Sequence, residues 1–86
     1  MVVKINQVIN HESATHNTWF ISKMKQVLLK QGQIEPLQVS VYLQVFGGEP
    51  VYRTFLEDPH GAEIVYAARA LGWPTLLISV MKRYEA

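Results

Sequence analysis

Residues His60–Trp73, HGAEIVYAARALGW, carry the reading that decides the fold. Their spacing predicts a glycine turn at Gly61, a helix over about Ala62–Leu71 and a stop at Gly72, with Ile64, Val65, Ala68 and Leu71 on one face. A helix that begins directly after a glycine directs unpaired backbone N–H groups outward, which makes its start a ready anion site. Yet the first turn carries Glu63 and no Arg, Lys or Ser. The geometry invites a phosphate, and the side chains do not.

Working outward, Thr75–Met81 (TLLISVM) is a continuous apolar run too short for a typical helix and reads as a strand covered on both faces. The tail from Lys82 to Ala86 reads as a frayed end. Upstream, Leu37–Phe46 alternates, with Leu37, Val39, Val41, Leu43 and Val45 on one face. Gly47-Gly48 and the extended segment Val51–Leu56 complete a hairpin with a four- or five-residue connection. Before it, Phe20, Met24, Val27, Leu28 and Gln31 form a stripe at helical period, so a helix is expected over about Thr18–Gln31. Asn17 or Thr15 caps that helix, and Gly32 ends it. Val2–Ile9 reads as a first strand or extended arm. The expected order is therefore β-α-β-β-α-β, an α+β domain spanning residues 1–86 in which two helices pack on a small mixed sheet.

Composition narrows the function classes. At 49% apolar residues the 86-residue chain is globular, and eight Lys and Arg against seven Asp and Glu leave a formal net charge of +1. That balance argues against a uniform basic field for duplex DNA but permits a local patch. With no cysteine, disulfides, thiolate nucleophiles and cysteine-bound metals are excluded. No basic-then-apolar leader and no bilayer-length apolar run is present, so a cytoplasmic chain with no membrane partner is expected.

Three motifs, taken in order, resemble the ParB/sulfiredoxin-like superfamily of ParB-like nuclease domains. VLLKQGQIEPLQV (Val27–Val39) is similar to the family's helix, Gly-Gln, then Pro-Leu/Ile-x-Val lead into a strand. VYRTFLEDPHG (Val51–Gly61) resembles the strand that delivers the chain to the functional glycine. GAEIVYAARALGW (Gly61–Trp73) is similar to the family helix that follows. In members that handle nucleotide or phosphate, this helix carries an Arg or a basic pair, and those positions fall here on Ala62, Glu63 and Ile64. The resemblance thus implies a domain acting in DNA metabolism (partition, replication or regulation) by nucleic-acid or protein binding, with weak or no catalysis. Sulfiredoxin chemistry needs a cysteine that the chain lacks.

Two other readings stay open. One is an active nuclease or nucleotide hydrolase, taking a nucleotide with magnesium, whose phosphate is held at Gly61, Ala62 and Glu63 with Gln33, Asp58, His60 or Arg69 assisting. In this reading His60 and Asp58 are the catalytic candidates. The other is a pure protein-interaction module, for instance a homodimer. As plain helix chemistry, Asp58 and Glu63 complement the positive start of the helix and Arg69 its end. Lys23, Lys25, Lys30, Lys82 and Arg83 are the candidate nucleic-acid patch, helped by exposed Trp19, with a solvated surface as the alternative. Trp73, Tyr66 and Phe20 read as core or dimer contacts. His11 and His16 of HESATH are five residues apart, not the four of a helical zinc pair, so no metal site is expected.

Overall fold

The computed structural model describes residues 1–11, 17–44 and 47–85. It is an α+β architecture: β1 (Val2–Lys4), a 3₁₀ turn (Ile5–Gln7), β2 (Val8–Ile9), α1 (Thr18–Gln31), β3 (Leu37–Leu43), β4 (Val51–Thr54), α2 (Pro59–Ala70) and β5 (Thr75–Glu85). The five strands form one mixed sheet in the order β1-β5-β3-β4-β2. Strand β3 runs antiparallel to β4 and parallel to β5, while β1 is antiparallel to β5 and β2 parallel to β4.

The expected first strand is divided between opposite ends of that order. Four flat strand spacings would separate β1 from β2 by roughly 19 Å. Lys4 and Val8 are joined by a chain that reaches at most about 14 Å even when extended, so the sheet curls and the 3₁₀ turn bridges its edges. Two bonds seat that turn: Ile5 N donates to the Pro74 carbonyl at 3.0 Å, and Gln7 Nε2 to the Pro50 carbonyl at 3.3 Å. The element order therefore has one strand more than the sequence predicts.

Helix α1 has its expected bounds because its ends are chemically marked. The Asn17 side chain accepts from Trp19 N at 3.0 Å and Phe20 N at 3.4 Å, and Gly32 leaves the helix at φ 71°. Thr15, the other candidate cap, lies outside the described residues, as do Val45 and Phe46 of the expected β3 strand. The buried stripe is rotated from the expected one: Ile21 and Leu28 enter the core with Met24 beside them, whereas Phe20 is 44% and Val27 42% exposed. Gln31 is exposed as well.

Helix α2 starts earlier than the glycine suggests. Asp58 is its N-cap and Pro59 its first residue, a position where the missing proline N–H costs nothing. Gly61 therefore lies inside the first turn with an ordinary φ, and its requirement is space. A Cβ there would sit 2.9 Å from Asp58 Oδ2 and 3.1 Å from Leu37 Cδ1. The far end closes on Gly72 (φ 73°), with Gly72 N bonded to the Arg69 carbonyl and Trp73 N to the Ala68 carbonyl, both at 3.0 Å. This paired closure satisfies two of the last carbonyls.

Both helices cover one face of the sheet. Leu37, Val39, Val41, Tyr52, Leu76 and Ile78 from that face bury against Ile21, Leu28, Val65 and Ala68. The other face, with Gln38, Ser40, Tyr42, Arg53, Lys82 and Tyr84 at the alternate positions, carries no helix among the described residues. Strand β5 is thus covered on one face only, and it continues to Glu85 where a frayed tail was expected. Its end is held by pairing, Ser40 with Lys82 through Leu43 with Glu85, after a register shift beyond Val39.

Replacing Gly61 with alanine should destabilise the fold by about 1–3 kcal/mol through overpacking. Gly72→Asn should cost less, since asparagine tolerates the left-handed conformation. Urea denaturation midpoints of the two variants check this order, and an unchanged Gly61→Ala midpoint would refute the close approach at Asp58 and Leu37.

Candidate functional site

The start of α2 is occupied by its own chain. Asp58 Oδ1 accepts the Gly61 N–H at 3.1 Å, and Pro59 has no N–H to offer. Ala62 is buried, its carbonyl accepting from Asn10 Nδ2 at 3.4 Å. Asn10 Oδ1 in turn accepts from the buried Thr54 hydroxyl, which also takes the His11 N–H, so the N-terminal segment ties β4 to the first turn of α2. Glu63 pairs with Nδ1 of His60 at 3.3 Å, and the His60 side chain is 76% exposed. Ile64, where the resemblance would place an arginine, packs against the core. An anion arriving here meets the carboxylates of Asp58 and Glu63, with Nδ1 of His60 already held by Glu63.

Gln33 and Arg69 are engaged elsewhere. The Gln33 amide both donates to the Leu77 carbonyl at 2.7 Å and accepts from Leu77 N at 2.8 Å. Just ahead of β3, this side chain continues the ladder that the strand backbone takes up at Leu37. Arg69 stands about 12 Å along the helix from Gly61 and donates from Nη2 to the Val8 carbonyl, tying β2 to α2. Gln33, Arg69 and Gly61 thus serve three separate places.

The five expected patch residues divide between the two sides of the sheet. Lys23, Lys25 and Lys30 ride on α1, Lys23 lying over the Trp19 ring at 4.3 Å. Lys82 and Arg83 alternate on β5, and only Lys82 joins the uncovered face. His11 is described, but Glu12 and His16 of the HESATH segment lie outside the described residues. Among the described residues no group of three His, Asp or Glu is placed to hold a metal.

The structure assembles a cluster on the uncovered face that sequence spacing does not disclose. Buried Ser40 lies in a cleft of about 220 Å³ whose lining also includes Tyr42, Arg53, Phe55, Glu57, Lys82 and Tyr84. Tyr42 and Tyr84 stack with ring centroids 5.0 Å apart and planes 16° from parallel. The Arg53 guanidinium lies 4.8 Å from the Tyr42 centroid, and Lys82 Nζ 6.0 Å from that of Phe55. Among the described residues, Arg53 Nε is a buried side-chain nitrogen without a hydrogen-bond partner. Leaving such a donor unmet costs about 1–3 kcal/mol. The one sequence signal for this face was the polar half of the β3 alternation, Gln38, Ser40 and Tyr42.

A second cleft, between α1 and α2, is apolar and also about 220 Å³, with Met24, Val27, Leu28, Ile34 and Ile64 among its lining residues. No helix among the described residues is long and apolar enough to cross a membrane. In comparisons with known proteins, no family model and no curated protein matches this chain.

The Gln33→Ala variant should lose about 1–3 kcal/mol of stability, because it strips Leu77 of both partners. Amide hydrogen exchange at Leu77 should accelerate beyond that of Ile78, whose N–H is bonded to the Met1 carbonyl. Unchanged protection at Leu77 would show that the amide of Gln33 is not part of the ladder.

Proposed function

We propose that this chain is a ParB/sulfiredoxin-like domain of DNA metabolism that binds nucleic acid and performs no chemistry on it. Support for the family comes from the three ordered sequence motifs and from a small mixed sheet with two helices on one side. The observation that carries the binding reading is the placement of Arg53 and Lys82 in one cleft on the sheet face that carries neither helix, where Glu57 is the one carboxylate lining it among the described residues. Cations so gathered release counterions from a phosphate backbone, which makes binding depend steeply on salt.

The catalytic alternative is weaker because it needs phosphate at the start of α2, where Asp58 and Glu63 stand. A nuclease or nucleotide hydrolase of that kind would be stabilised against heat by nucleotide with magnesium, through mass action on the folded state. No such shift is expected. The interaction-module reading is favoured by one observation, the apolar cleft between α1 and α2. Self-association in sedimentation, together with no nucleic-acid binding at low salt, would favour it over the present proposal.

In a fluorescence anisotropy series, affinity for DNA should fall steeply from low to physiological salt. Lys82→Ala should weaken binding and reduce the logarithmic salt slope by about one. Lys30→Ala, on the helix side, should leave both unchanged. Absence of binding at low salt would remove the proposal.

A further inference from the structure

We infer that the uncovered sheet face is a platform for single-stranded DNA, on which an unpaired base stacks against the Tyr42–Tyr84 pair while the adjoining phosphate is met by Arg53 and Lys82. This rests on the nucleic-acid reading above and adds which form of nucleic acid the face accepts, and by which contacts.

The argument starts from the rings. Two tyrosines at paired positions of neighbouring strands stack nearly parallel, and Tyr84 remains 43% exposed. An exposed ring beside a cationic cleft is the arrangement that holds unpaired bases, since every base has a π-face and stacking needs no particular sequence. A duplex cannot use it, because its bases are already stacked on each other. The cations are placed for the accompanying backbone. Arg53 is held over Tyr42 and lines the cleft, where its guanidinium can meet a phosphate oxygen. Lys82 stands over Phe55 on the same cleft.

The remaining lining sets the polarity of the site. Glu57 repels a phosphate from its own side and accepts a hydrogen bond from a base N–H. Phe55 and Leu56 present apolar surface, which suits deoxyribose and the thymine methyl better than a ribose hydroxyl. The occupant that fits all of these groups is a deoxyribonucleotide strand laid across β3 and β5.

The test measures anisotropy of labelled oligothymidylate, oligouridylate and a mixed-sequence duplex of equal length, at one low salt concentration, with wild type, Tyr84→Ala and Tyr84→Phe. Circular dichroism confirms that each variant is folded. Oligothymidylate should bind more tightly than either competitor. Tyr84→Ala should weaken it roughly tenfold to a hundredfold, as expected for one lost stacked base, and Tyr84→Phe should retain most of the affinity. Equal or tighter duplex binding, untouched by Tyr84→Ala, would overturn this inference while leaving the nucleic-acid reading intact. Tighter oligouridylate binding would overturn the assignment to DNA. Failure of all three probes to bind would overturn both the inference and the reading beneath it.

Discussion

The close approach of the first turn of α2 to the start of β3 is the contact on which the rest of the arrangement hangs. Gly61 sits between the Asp58 carboxylate and Leu37, and a methyl group there would force one of these side chains to move. Because the helix comes that near, Ala62, Val65 and Ala68 bury behind Gly61 against the sheet, and small side chains suffice to fill the gap. The same approach brings the Ala62 carbonyl within reach of Asn10. At the far end of the helix, Arg69 reaches the backbone of Val8. One packed helix therefore fixes both the central strand and the segment that closes the curled sheet.

That packing also decides the fate of the helix start. A helix N-terminus attracts anions through its exposed N–H groups and its dipole. Here the requirement is met internally, by the Asp58 side chain on Gly61. Glycine at this position reads in sequence as a cradle for a ligand, but structurally it is clearance for a cap and a leucine. Ile64 follows the same logic, since it fills apolar space at the junction with α1 where the resemblance would have placed a phosphate-binding arginine.

Much of the architecture was legible because it is written locally. Asn17 and Gly32 mark the ends of α1, and strict alternation identifies β3. The start of α2 was equally marked by Asp58-Pro59, a cap followed by a residue suited to the first helical position, but the glycine drew the boundary too late. The division of Val2–Ile9 was not legible, since it depends on two distant partners, Thr75–Leu77 and Tyr52–Arg53. Nor was the length of β5, whose end is held by backbone pairing to β3 and leaves Lys82–Glu85 without any apolar period. For the same reason the uncovered face stayed hidden: Arg53 and Lys82 are remote in sequence and meet only because β4 and β5 flank β3.

A formal charge of +1 does not describe the charge at any one face, and several of the carboxylates are engaged elsewhere. Asp58 is consumed as a cap, Glu63 pairs with His60, and Glu49 pairs with Lys4 at 3.2 Å. Those carboxylates lie outside the cleft that Arg53, Lys82 and Glu57 line. What matters for capturing an anion is the field at the surface it meets, and this is set by local arrangement more than by the total. Sidedness thus joins the fold to the proposed function. The helices take up the apolar face and the anion-attracting helix start, and the stacked rings and cations are left together on the face they do not cover.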